Sequence, residues 1–364
     1  MKTKSALALL VLCALLVTGC AGGRFTASSG WAGPAVSEQL VYIGSRDGRV
    51  MALAVGTGDL RFSFPPQHQD PLPGLYGSPA LADDQLFVGG YDGKLYALNA
   101  ADLTFQWQYP ADESQVGRIV GSPAVAGELV IFGSSDRFVR ALRVADGSLA
   151  WSFQTEDRVW STPTVAGDTV YISSLDHRVY ALSISTGSPK WPVPFEADGA
   201  IVSSPLVADG KVFVGSFDRS FYTLDATSGT LLQRFDGDSW FWSSPISDGK
   251  RVYAASMSGK LYALDSGRGS IWRELFDLKN PVVTTPVLVD GRIVVTSDGG
   301  LIYTISPETG QQVAPAFNVG AEVRAPLAAS DGTVYVNAMD RSVWAIRVVG
   351  KQEKVWQITT SDND

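Results

Sequence analysis

A proline preceded by a small or polar residue recurs along this chain at Pro34, Pro79, Pro123, Pro163, Pro205, Pro245, Pro286 and Pro326, at intervals of 45, 44, 40, 42, 40, 41 and 40 residues. A period of this length restricts the fold to an array of like supersecondary units, because one such unit cannot bury its own apolar face and must stack on neighbours. Eight residues after each of the first seven prolines stands a β-branched or aromatic residue: Tyr42, Phe87, Ile131, Tyr171, Phe213, Tyr253 and Val294. In the eighth repeat Tyr335 comes nine residues after its proline, which one inserted residue explains.

Each of these strands runs into a turn, with aspartate at Asp47, Asp92, Asp136, Asp176, Asp218 and Asp340, and Ser258 and Gly299 in the other two repeats. Asp-Gly between alternating apolar runs predicts a hairpin. The next strand alternates, as in Tyr96-Ala97-Leu98, Tyr180-Ala181-Leu182, Tyr262-Ala263-Leu264 and Trp344-Ala345-Ile346, and a second turn follows at Thr57-Gly58, Asp146-Gly147, Thr186-Gly187, Ser228-Gly229 or Thr309-Gly310. An outer strand, which we place at Trp107, Trp151, Trp191 and Trp356, closes the unit. Four short antiparallel strands per repeat predict an all-β, eight-bladed β-propeller, whose closure removes most exposed sheet edges. A straight solenoid would need distinct capping ends, and none is present.

The first twenty residues differ in kind. Lys2 and Lys4 precede an apolar run from Ala6 to Val17, too short to span a bilayer, and Val17-Thr18-Gly19 leads into Cys20. We read 1–19 as a lipoprotein signal peptide, 20–30 as a lipidated Cys20 with a flexible tether, 31–360 as one propeller and 361–364 as an acidic tail. Val17-Thr18-Gly19-Cys20 resembles the lipobox of bacterial lipoproteins, which implies acylation of Cys20 and an extracytoplasmic, membrane-anchored location: the outer membrane facing the periplasm in a double-membraned cell, the cell surface otherwise. The other cysteine, Cys13, lies in the segment to be removed, so the mature chain has no internal disulfide. Losing Lys2 and Lys4 takes the formal charge from −8 to about −10, which disfavours nucleic acid as a partner.

The unit typified by Tyr96-Ala97-Leu98, the glycine turn, and Trp151 or Trp191 resembles the repeat of pyrroloquinoline-quinone propellers, over 31–360. That repeat occurs in quinoprotein dehydrogenases, in sensor domains and in the outer-membrane assembly lipoproteins of the BamB family. Eight units behind a lipoprotein signal, and little else, look most like the BamB family. The resemblance implies a monomeric, non-catalytic scaffold that binds other envelope proteins in outer-membrane β-barrel assembly. The alternatives are a ligand- or peptide-binding sensor and a quinone-dependent oxidoreductase.

The residues speak against catalysis. Quinoprotein dehydrogenases hold the quinone over calcium, many beside a disulfide of adjacent cysteines; no adjacent cysteines exist here, and no insertion rich in Asp, Asn and Glu breaks the repeats, so no cofactor is expected. His68 lies among Pro65, Pro66, Pro71 and Pro73, and His177 falls at the turn position held elsewhere by Gly48 or Arg219, so neither forms part of a triad. One aspartate per hairpin suits turn chemistry better than calcium, which needs six to eight converging oxygens.

What departs from the common repeat is the connection entering each proline strand. These segments carry Trp31, Tyr76, Arg118, Arg158, Trp160, Trp240, Phe241, Trp242, Glu322 and Arg324. All join an outer strand to the next inner strand, so they gather on one face of the ring, and aromatic and arginine side chains are enriched in binding hot spots. We therefore expect Trp31, Tyr76, Arg118, Arg158, Trp160, Trp240, Phe241, Trp242 and Arg324 to contact partners. The alternative is that the rings plug the channel mouth or wedge between blades. Three consecutive aromatics at Trp240-Phe241-Trp242 cannot all point to one side.

Overall fold

In the first repeat the β-branched and aromatic run Leu40–Gly44 pairs with Ala35–Val36 on one side and with Val50–Ala54 on the other, and Leu60–Phe64 completes a four-stranded antiparallel sheet. Seven further sheets repeat this order, each from strands consecutive in the chain, over 80–109, 124–154, 164–196, 206–236, 246–277, 287–318 and 328–359. The computed structural model describes residues 30–112, 114–265 and 271–360, so Cys20 and the signal, most of the tether and the acidic tail lie outside them. The fold is an eight-bladed β-propeller. Blades are numbered 1 to 8 in chain order, with strands counted from the ring axis outward.

The hairpins between second and third strands differ in detail from the expected turn. Only the residue after the aspartate has positive φ, and in four blades it is not glycine: Arg137 (73°), His177 (73°), Arg219 (74°) and Arg341 (73°). The aspartate keeps ordinary backbone geometry because its side chain accepts the amide two residues on, at 3.1 Å from Lys94, 3.0 Å from Arg178, 2.7 Å from Ser220 and 2.9 Å from Ser342. This places the acid beside the third strand, where the hydroxyls of Tyr96, Tyr180 and Tyr222 donate to Asp92, Asp176 and Asp218. Blade 6 has Ser258 in the turn, and Asp238 from the preceding connection supplies the carboxylate for Tyr262 at 2.9 Å.

Neighbouring blades are joined by two repeated aromatic contacts. In the first, a ring from the outermost strand lies on the third-strand ring of the next blade: Phe64 on Tyr96, Phe153 on Tyr180, Phe195 on Tyr222, Phe235 on Tyr262, Phe276 on Tyr303 and Phe317 on Trp344, with centroids 4.9–5.9 Å apart. In the second, a tryptophan indole reaches a carbonyl of the next blade: Trp107 to Val144 (2.9 Å), Trp151 to Ile184 (2.6 Å), Trp191 to Ala226 (3.0 Å) and Trp356 to Val55 (2.7 Å). Each of these indoles lies against the glycine of the next blade's outer turn. At Gly58 a Cβ would stand 2.7 Å from the Trp356 ring, so no other residue admits that approach.

Trp191 does so from outside a strand, which corrects the expected boundary. Pro192 and Pro194 remove two ladder donors, and the outer strand of blade 4 shrinks to Phe195–Glu196.

Trp356 also closes the ring. Blade 8 packs on blade 1 through Val41, Ile43, Leu53, Tyr335, Val343, Ala345 and Trp356, and Asn337 donates from Nδ2 to the carbonyls of Ala32 and Gly44 at 2.9 Å each. Arg341 pairs with Asp47 at 3.0 Å, and the Arg46 guanidinium donates to the Met339 carbonyl. No strand is exchanged across this seam, because both terminal sheets are built from consecutive strands.

Two outcomes follow from these contacts. Trp356→Ala costs about 3–5 kcal/mol, a lower urea midpoint being the readout, since it opens a cavity and removes the closing hydrogen bond. Burial first, and then the hydrogen bond to Asp218, push the Tyr222 phenol up to about 12. An unfolded tyrosine ionises near pH 10, so this stabilisation is complete below about pH 10 and is lost as pH rises toward 12. Tyr222→Phe therefore lessens the fall of thermal midpoint between pH 10 and 12.

Candidate functional site

Because the four strands of a blade alternate in direction, the hairpins between second and third strands share one face with the connections that enter the next blade. Each connection is stitched to two hairpins. The Arg118, Arg158, Trp240 and Glu322 carbonyls accept from Ser135, Leu175, Met257 and Met339 of the hairpin ahead, at 2.9, 2.9, 2.8 and 2.8 Å. One residue later, Ile119, Val159 and Phe241 donate their amides to Gly90, Ser134 and Ser216 of the hairpin behind, at 3.2 Å each. The side chains between are thus carried on a backbone fixed at both edges.

Register then decides which way they point. The second position of the connection is buried in every blade the structure describes there: Leu75, Ile119, Val159, Ile201, Phe241, Val282 and Val323 are all 0% exposed. Phe241 belongs to this column. Its ring meets Phe221 at 5.4 Å and Tyr262 at 6.0 Å in the core between blades 5 and 6. This corrects its assignment as a partner contact: Phe241 is a wedge, unreachable from solvent. Alternation turns its neighbours outward, and Trp240 and Trp242 both stack on Phe217, at 5.5 and 5.4 Å.

The remaining predicted residues fall into three groups on the same face. Trp31 meets Tyr76 edge-on at 4.6 Å, Tyr76 meets Tyr91 at 4.9 Å, and the Arg118 guanidinium lies 4.6 Å over the Tyr91 ring. Tyr76 is nearly buried under this ladder, at 9% exposure, so it supports the surface more than it forms it. Trp160 donates from Nε1 to Ser135 Oγ at 3.1 Å, beside an exposed Arg158. Arg324 is held by Asp298 (3.4 Å) and Glu322 (3.1 Å).

Sequence reasoning missed the hairpin residue that precedes the turn acid. That position holds Arg46, Tyr91, Ser135, Leu175, Phe217, Met257, Asp298 and Met339, and two of these rings organise the aromatic groups. Its signal was the variety of side chains at one fixed place in an otherwise regular repeat.

Over 18–158, 139–270, 238–314 and 270–363 the sequence matches the profile of the PQQ-type repeat family described as outer membrane protein assembly factor BamB. The chain belongs to that family. No curated protein matches it. Among solved structures, BamB from Moraxella catarrhalis superposes with a TM-score of 0.70 at 19% identity, covering 88% of this chain and 94% of its own. The computationally designed Ika8 protein gives 0.73 at 20% identity, covering 87% and 95%. At such identities the likeness is one of fold.

Membership of the BamB family raises the question of a quinone, which the repeat's name implies. The residues do not fit it. Among the described residues no group of three or more His, Cys, Asp or Glu side chains stands together where a metal ion could be held. The hairpin acids Asp92, Asp136, Asp176 and Asp218 are engaged by side chains of their own blades. Asp136 shows the consequence: burial alone would raise its pKa, but Arg140 and Ser134 outweigh burial and hold its carboxyl below the usual range.

The two aromatic roles separate experimentally. Phe241→Ala lowers stability by about 3–5 kcal/mol through the cavity it leaves between blades, whereas Trp242→Ala costs less than about 1 kcal/mol, both read from denaturant midpoints.

Proposed function

We propose that this chain is a non-catalytic, lipid-anchored scaffold of the cell envelope that takes part in assembling outer-membrane β-barrel proteins. The family match over nearly the whole chain carries the reading. The face built from Trp31, Arg118, Arg158, Trp160, Trp240, Trp242 and Arg324 supplies its physical means. Rings and guanidinia carried on a stitched backbone lose little conformational freedom on contact, so a partner surface meets a preorganised site. Acylation of Cys20 would hold this face near the membrane where such partners reside.

Cross-linking pull-down from native membranes tests the proposal. The wild-type chain recovers barrel-assembly components, the double variant Trp240→Ala with Arg158→Ala recovers several-fold less while keeping its unfolding midpoint, and Cys20→Ala leaves the membrane fraction. Recovery of no barrel-assembly component by the wild type overturns the assembly role.

A further inference from the structure

The seam between blades 8 and 1 lacks the ring-on-ring contact found at six others. The pairing register places Met51 where Tyr96, Tyr180 or Tyr222 stands, and Ile358 where Phe64, Phe153 or Phe235 stands. Two rings are thereby replaced by two slimmer aliphatic chains. A cavity of about 520 Å³ opens at this place, lined by Met51, Leu60 and Ile358 together with Asp47, Asp59 and Asp70. Its size lies within the roughly 300–1,000 Å³ of ligand pockets. The loop 67–71 forms one wall, secured by Arg49, which donates to the carbonyls of Pro65 (2.7 Å), Pro66 (2.9 Å) and Gln69 (2.9 Å).

The chemistry of the missing group is set by the other blades. In blades 2, 4 and 5 the third-strand tyrosine fills this space and gives its hydroxyl to the hairpin aspartate. Asp47 is that aspartate in blade 1 and lines the cavity, but Met51 has no proton to offer it. Its Oδ1 is instead held at 3.0 Å by Arg341 across the seam, where in those blades a tyrosine of the same sheet holds the acid. Asp59, whose carboxylate stands 3.9 Å from Arg61, and Asp70 are both exposed at the lining, and with Asp47 they outnumber its one arginine, Arg49.

We propose that this seam binds a tyrosine side chain presented by an extended basic peptide, the ring entering between Met51 and Ile358 and the hydroxyl donating to Asp47. The peptide backbone stays outside, with its Lys or Arg residues near Asp59 and Asp70. The site follows the outer edge of the ring from the Asp47 hairpin, which shares a face with the aromatic groups, and it does not rest on the assembly reading.

The test uses the full chain with p-cresol, toluene and the peptide acetyl-Lys-Tyr-Lys-amide, binding being followed by calorimetry. p-Cresol binds saturably and better than toluene, and Asp47→Asn removes that preference. The peptide binds at least tenfold tighter than p-cresol at low salt and loses the advantage at high salt. Met51→Tyr, which fills the cavity from within, raises the thermal midpoint and weakens both ligands more than tenfold; Met51→Phe weakens them similarly and serves if the tyrosine variant folds poorly. Absence of saturable p-cresol binding, or equal binding by the Met51 variants, overturns the site. A peptide no tighter than p-cresol overturns the peptide as occupant.

Discussion

A four-stranded sheet with two apolar faces is soluble only when both faces are covered, and here the cover is always the next sheet. The contact that makes this specific is an aromatic side chain leaving the outer edge of one blade for the next. Phe195 on Tyr222 and Trp191 on the Ala226 carbonyl join the same two blades, one through ring contact and the other through a hydrogen bond. Ring burial supplies the larger energy, and the indole donor together with the glycine beneath it fixes register. The tyrosines then hand the constraint inward to the hairpin acids, so interblade packing and turn geometry support each other.

Much of this architecture was legible because it is local and repeated. The proline period, the hairpin aspartates and strands such as Tyr96-Ala97-Leu98 each recur often enough to expose their roles, and the structure forms a blade at every one of them. What escaped depends on neighbours distant in sequence. Phe241 looks like Trp240 and Trp242 when read along the chain, and only the column containing Val159, Ile201 and Val282 reveals it as core. Tyr91 and Phe217 acquire their roles from rings on an adjoining connection. Asp238 replaces a hairpin acid from 20 residues earlier, a compensation invisible to any alignment of turns.

The same regularity makes one face of the ring suited to recognition. The backbone repeats nearly unchanged from blade to blade, while the residues that crown it vary between tryptophan, tyrosine, arginine, methionine and acid. Variation on a constant support lets specificity change without cost to the core, since the buried column beneath is independent of what stands above it.

Finally, the ring meets itself without interlacing its ends. Ala35–Val36 stays with its own sheet, and Glu353–Thr359 with its own, so the circle is a stack bent until its ends touch. Such a ring has no privileged origin. Its chain could begin at any outer-to-inner connection and still form the same eight sheets, and a lineage could gain or lose a blade by duplicating or deleting one whole repeat without redesigning a clasp.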